Sequence, residues 1–379
     1  MAEIQFDRPG QTAHSVPTAL TAALCQRPAT IEVTVGFENG HFNIYNLDPK
    51  TSRLELRSSH GSSTEGSITA MASSSPYLLT VSEHNFLSLY EMPALVQGAD
   101  KYDSMTAEPR LLTSLKADSI VAPTSLAIRV SGSEIIPSIV YSFFHIGCGW
   151  SLGIQELRLN RNGEQIGSRL ATTVDSQYGM KHVQNAYRPS GFPENQNDLG
   201  EQRPTVPSEP FILHQQPPTS MSYSHPYLLT SHSDNTLTMY IVVSTSENLF
   251  VKGGERLWGH TSSVSAVQVS DRGKAVSVSS FGDEIRLWEL EAAISSSGTR
   301  KAPQGGDSIQ ITPENKRYRD PSDLDILSRA VSHTAQLAYS DTSSELSATL
   351  GCVGFDDERV LLFREKDLGA PWLECYDFT

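Results

Sequence analysis

Residues 257–290 read LWGHTSSVSAVQVSDRGKAVSVSSFGDEIRLWEL. Near its end, EIRLW alternates apolar and polar side chains with a period of two, as a half-buried strand does. The alternation ends on the aromatic Trp288. Six positions before it stands Gly282, with Asp283 next, so a tight turn feeds the strand. Small and branched residues fill the stretch before that turn, and Gly273 breaks it. Short strands joined by tight turns are the implied local structure.

The same ruler recurs along the chain. Asn39 precedes Tyr45 by six residues, His84 precedes Tyr90, Asp234 precedes Tyr240 and Asp357 precedes Phe363. Longer similarity supports it. PYLLT stands at 76–80 and again at 226–230, an offset of 150, and ITAMASSSPYLLTVSEHNFLSLYEM (68–92) lies over PTSMSYSHPYLLTSHSDNTLTMYIV (218–242). Tyr45 to Tyr90 is 45 residues and Tyr240 to Trp288 is 48. A repeat of that length, each unit a small antiparallel sheet, indicates the blades of an all-β propeller. Trp288 to Phe363 is 75, so an insertion falls between them, placed at 291–321. That segment and 176–210, with five prolines, are rich in residues that bury little apolar surface, and both are expected to be disordered loops. The second could alternatively act as a lid over a binding face.

Six units are visible, at about 17–58, 66–98, 111–175, 211–252, 255–292 and 330–366, within a single propeller spanning 1–379. The third is the least regular. It is assembled from LLTSL, TSLAIRV, SIVYSFF and SLGIQELRL, and FFHIGCGWSLG replaces its usual turn, read as a Gly-rich tight turn around a buried Trp150. A seventh blade closed by the termini is expected, from EIQF (3–6) and WLECYDF (372–378). Closure would remove unpaired strand edges.

The stretch 257–290 resembles a complete WD40 repeat, with Gly259-His260 where that family has Gly-His and Trp288-Glu289 where it has Trp-Asp. The chain is thus identified as a WD40-type β-propeller, and it resembles the propeller part of fungal F-box/WD-repeat ubiquitin-ligase substrate receptors. That resemblance implies a non-catalytic protein-interaction scaffold, substrate recognition for an SCF-type ligase, and a ubiquitin-ligase adaptor as partner. No F-box-like helical segment is visible before the first blade, since 1–16 is short; a shortened form or a free-standing scaffold would account for that.

The resemblance also implies a buried hydrogen-bond chain in each blade: His before the blade, a hydroxyl on the second strand, an acid in the tight turn, an aromatic on the third strand. By position these are His60, Thr80 and Tyr90 in the second unit, and His214, Thr230, Asp234 and Tyr240 in the fourth. The fifth offers His260 and Trp288, with Val278 at the hydroxyl position and Asp283 displaced by one. The sixth offers His333 and Asp357. The fourth is expected to be the fullest. Recurrence in every blade favours a structural role over a catalytic triad or a metal site. The residue before each turn position would face partners: Glu38, Glu83, Ser233, Phe281 and Asp356. Their acidic members favour basic segments, and Phe281 would add an apolar anchor.

Composition narrows the classes. The formal charge is −14, which disfavours nucleic acid as a partner. No run of apolar residues is long enough for a membrane helix, and no secretory signal is visible. Cys25, Cys148, Cys352 and Cys375 are scattered, which suits thiols in the cytoplasm or nucleus rather than a disulfide framework. Phosphate-binding, metalloprotease and nucleophile-elbow motifs are missing, so no cofactor is expected. The competing reading is a propeller hydrolase with its site in the central channel. Lys316-Arg317-Tyr318-Arg319 is a basic run, read as a solvated patch or a docking signal.

Overall fold

The structure, a computed structural model, describes residues 16–24, 31–48, 53–61, 65–92, 108–116, 121–177, 212–280, 284–291, 308–311, 348–355, 359–365 and 371–377. The first sheet is a meander of β1 (Pro17–Leu24), β2 (Ile31–Phe37), β3 (Phe42–Asp48) and β4 (Arg53–His60). The second follows as β5 (Ile68–Ser74), β6 (Tyr77–Ser82), β7 (Phe86–Glu91) and β8 (Arg110–Lys116), and the third as β9 (Val121–Ser131), β10 (Glu134–His145), β11 (Gly149–Asn160) and β12 (Gln165–Thr172). A short helix, α1 (Thr173–Gln177), closes the third. The fourth comprises β13 (Ser220–Ser224), β14 (Tyr227–Ser231), β15 (Thr236–Ser244) and β16 (Leu249–Trp258). In the fifth, β17 (Val264–Val269), β18 (Lys274–Ser279), β19 (Ile285–Glu289) and β20 (Ser308–Ile311) are in order, and the last sheet has β21 (Ala348–Phe355), β22 (Arg359–Glu365) and β23 (Pro371–Asp377).

These strands correct several expectations. Among the described residues there are five complete four-stranded blades, rather than six with a seventh closed by the termini. The strand in WLECYDF pairs with β22, from Arg359↔Asp377 to Glu365↔Pro371, so it completes the last three-stranded sheet instead of a separate closing blade. EIQF lies outside the described residues. LLTSL is the outer strand of the second blade, paired with β7, and the fourth strand of the third blade comes from QIGSRLAT. Part of 291–321 is a strand: SIQI pairs with β19, Trp288↔Ser308 through Ile285↔Ile311. Its two isoleucines alternate with polar residues, and it covers an edge that β19 would otherwise leave open. Of 176–210, the first two residues belong to α1 and the rest lies outside the described residues.

The residues fall into two compact units: 1–217 with 223–228 and 240–255, and 218–222 with 229–239 and 256–379. In the first unit, Thr18 Oγ1 donates to Ile68 O at 2.6 Å and Thr21 Oγ1 meets Ser73 Oγ at 3.0 Å. The first strands of blades one and two therefore run in the same direction, and their second turns leave from the same end. Apolar side chains fill the space between: Phe42 and Ile44 of one blade pack with Ile68, Leu78, Tyr90 and Met92 of the next. Leu79, Val81 and Leu89 likewise meet Leu126, Ile139 and Leu159 of the third. Each such fully buried side chain contributes about 1.5–3 kcal/mol. In the second unit, Ala266, Val276, Val278 and Ile285 pack on Val360.

The repeat seen in the sequence extends to backbone detail. The residue opening the second turn donates to the residue just before the first strand: Glu38 N to Val16 O, Glu83 N to Ser67 O, Ser280 N to Ser263 O. Asn85 and Asn235, 150 residues apart, both have positive φ (61° and 66°). Met92 N donates to Pro76 O at 2.7 Å, and Val242 N to Pro226 O at 2.8 Å.

Candidate functional site

Among the described residues, the fifth blade holds the fullest polar chain. Trp288 Nε1 donates to Ser277 Oγ at 2.8 Å, and the same hydroxyl lies 2.6 Å from His260 Nε2. An indole N–H can only donate, so Ser277 accepts there and has its own proton to give to His260 Nε2. That leaves the His260 Nδ1 proton facing Glu284 Oε2 at 3.4 Å. Glu284 also accepts from Thr261 N (2.9 Å), Thr261 Oγ1 (3.0 Å) and Arg286 Nε (2.8 Å). Burial alone would raise its carboxyl, but the Thr261 and Arg286 hydrogen bonds and the nearby His260 outweigh that and hold it below the usual carboxylate range. His260, Ser277, Glu284 and Trp288 are all buried.

The hydroxyl and the acid are thus Ser277 and Glu284, not Val278 and Asp283. The cause is one extra residue in the turn. Thr80 sits two residues after Leu78, the partner of Tyr90, and Ser277 sits two after Ala275, the partner of Trp288. Counting back from the aromatic skips the insertion and lands on Val278. Asp283 itself, like Phe281, lies outside the described residues.

The other blades depart further. His60 ends β4, stacks on Phe42 (4.8 Å between ring centroids) and meets the Tyr90 ring edge-on at 5.0 Å. Burial lowers its pKa and outweighs the charges of Glu108 and Glu65, which raise it. Thr80 Oγ1 donates to Ser88 O at 3.5 Å. In the fourth blade, His214 Nε2 reaches Tyr240 Oη at 3.4 Å. Thr230 Oγ1 is 3.0 Å from His232 Nε2, a buried histidine that sequence reasoning missed although it stands two residues on, just past the end of β14. Asp234 caps its own turn, accepting from Thr236 N (3.3 Å) and Thr236 Oγ1 (2.6 Å), with Arg256 at 3.8 Å. Here too burial raises and the Thr236 hydrogen bonds and Arg256 lower, with a net depression. His333 and Asp357 lie outside the described residues.

The third blade has a charged cluster in place of the chain. Glu156 on β11 is fully buried. Arg129 Nη2 donates to its Oε1 at 2.5 Å, and Arg169 Nη2 and Ser244 Oγ both donate to Oε2 at 2.8 Å. Arg158, paired with Glu134, and Arg169 also bind the Ser244–Asn248 turn through its carbonyls, at Ser246 O and Thr245 O. Arg129, Glu156 and Arg169 stand one each on β9, β11 and β12, and strand alternation alone leaves each ambiguous between a buried and a solvated face.

Of the residues expected to face partners, Glu38 and Glu83 are exposed at the second turns of blades one and two. Ser233, in the other unit, is also exposed. Phe281 and Asp356 lie outside the described residues. Among the described residues, no three His, Cys, Asp or Glu side chains are grouped as metal ligands, and no helix is long and apolar enough to cross a membrane.

The family model described as "F-box protein pof12 beta-propeller" matches residues 1–379. The chain belongs to this family. Its fold is accordingly an all-β propeller. The curated F-box protein pof12 of Schizosaccharomyces pombe (strain 972 / ATCC 24843) is 37% identical over 76 residues, which is 20% of this chain and 17% of the relative's length. Among solved structures, the C-terminal WD40 domain of Sif2 is similar with a TM-score of 0.36 and 14% identity, covering 73% of this chain and 71% of that one. BamB from Moraxella catarrhalis gives 0.40 and 7%, covering 94% and 85%, and Kluyveromyces lactis Hsv2 gives 0.37 and 12%, covering 96% and 98%.

Proposed function

We propose that the chain is a protein-interaction scaffold that recognises substrates for an SCF-type ubiquitin ligase. The observation that carries this reading is membership, along the whole chain, of a family described as an F-box protein propeller. A second feature supports it. The His, Ser and Glu side chains of the fifth blade are buried and bonded to one another. They are therefore occupied in holding the blade rather than presented to a substrate. The groups left on the surface at the turns, Glu38 and Glu83 in one unit and Ser233 in the other, suit protein or peptide partners with basic segments. A ligase adaptor would be a further partner, and the setting would be the cytoplasm or nucleus.

Affinity purification of the tagged chain with mass spectrometry tests the reading. Recovery of a ligase adaptor together with other proteins in stoichiometric amounts is the expected result. Turnover in a screen of hydrolase substrates, abolished by a channel-facing substitution, would overturn it in favour of a propeller enzyme.

A further inference from the structure

The segment FFHIGCGWSLG builds an unusual feature of the first unit. β10 and β11 are the longest strands described, and their pairing outruns their neighbours. β9 last pairs at Val121↔Ser142 and β12 at Thr172↔Gly153, yet β10 and β11 continue through Phe143↔Ser151, Phe144↔Trp150 and His145↔Gly149. The result is a two-stranded ribbon projecting past a four-stranded blade. An isolated two-stranded ribbon is marginally stable in water, and this one is tied down. Trp150 N donates to His214 O at 2.9 Å, Gly149 forms a parallel bridge with His214, and His214 reaches Tyr240. Gly149 is required: its φ is +69°, and a Cβ there would lie 2.4 Å from His214 O. Cys148, inside the turn, is buried as a thiol.

The ribbon nevertheless shows apolar side chains to solvent. Ile146 at the tip is 89% exposed and Phe144 62%. Trp150, expected to be buried, is only half-buried and meets Phe144 edge-on at 6.0 Å. Leu213, beside Gly149, is also exposed. A rigid, exposed apolar tip forfeits little entropy when something covers it.

The charge around the equivalent turns identifies the occupant. The ribbon occupies the second-turn position of blade three, and β9 packs on β5 and β6 of blade two. The corresponding turns of blades one and two carry exposed Glu38 and Glu83, with Glu65 beside His84. Residues 38–41, 83–85 and 146–149 include no Lys or Arg. Lys116, at the end of β8, lies over the Phe86 ring at 5.5 Å.

We infer that the β10–β11 ribbon is a docking finger for a basic segment of a partner protein that carries large apolar side chains. Phe144, Ile146 and Trp150 grip the apolar side chains, and Glu38 and Glu83 attract the basic ones. This rests on the scaffold reading and names the partner's chemistry. The probe is a fluorescent peptide alternating Lys with Leu and Phe, titrated into the full chain, with a Glu-for-Lys peptide as its counterpart. The expected result is binding of the basic peptide only. Phe144→Ser with Ile146→Ser should weaken it about tenfold, and Glu83→Gln should weaken it about threefold at low salt and less at high salt. Phe250→Ser, at an exposed apolar residue of β16, should leave it unchanged. Failure of the wild type to bind, equal binding of the acidic peptide, or equal loss in the Phe250→Ser control would each overturn the inference. Co-purification separates the two readings. Partners recovered equally by the wild type and the ribbon double variant sink the ribbon alone, whereas no partner with the wild type sinks the scaffold.

Discussion

In the fifth blade the polar side chains point inward and are matched one to one: Trp288 to Ser277, Ser277 to His260, His260 to Glu284. In the third blade a carboxylate stands between two guanidinium groups instead, Glu156 between Arg129 and Arg169. The turns differ with them. The fifth-blade turn is fastened to Thr261 through Glu284, while the third-blade turn grows into a ribbon that ends on Ile146. The third blade thus differs from the fifth both in the buried ion cluster that ties its strands together and in a second turn that carries an exposed apolar tip.

The largest effect expected from breaking this contrast is at Glu156. Glu156→Ala leaves two arginines in a mostly dry site, and removing one partner of a buried pair costs about 3–5 kcal/mol. Denaturant unfolding should show it, and a loss below about 1 kcal/mol would mean that water already compensates the arginines.

Ser277→Ala should rank next. It strands the Trp288 N–H and one side of His260, for about 1–3 kcal/mol. Asp234→Ala should cost less, since half of that side chain is exposed and its hydrogen bonds go to Thr236 of its own turn. The reverse order in thermal melts would place the main polar chain in the fourth blade.

A smaller effect with a definite sign belongs to Glu284. Its carboxyl is depressed in the folded chain, so its contribution is full above the ordinary glutamate pKa and is lost as pH falls through the lower folded value. Wild type should therefore exceed Glu284→Gln in Tm at neutral pH, with the gap narrowing in acid. A gap that widens on acidification would contradict the hydrogen-bond assignment.

The smallest effect is Ile146→Ser. The side chain is 89% exposed, so stability should stay within about 0.5 kcal/mol. A larger loss would show that the tip packs against part of the chain itself.

Much of this fold is legible in the sequence because its signals are local. The first repeat, read at 17–58, coincides with β1 to β4 to within a few residues, since alternation and turn residues fix it without help from distant contacts. Outer strands are harder. LLTSL and SIQI are short and separated by long connections from the strands they pair with, so the sheet they join is settled by pairing at a distance. The site was partly legible. His260 and Trp288 carry a family pattern, but Ser277 was hidden by a one-residue insertion, and the Glu156 cluster depends on which strand face is buried.

The offset of 150 residues between the second and fourth blades has a practical consequence. Positions 76–92 and 226–242 share length, a positive φ at the turn asparagine and the closing hydrogen bond, so the two stretches can be set in register residue for residue. They differ at the turn, where one carries Glu83-His84 and the other Ser233-Asp234. Exchanging only these two dipeptides would shift the carboxylate by one position at each turn while keeping composition, net charge and chain length constant, which separates where a charge sits from how much charge there is.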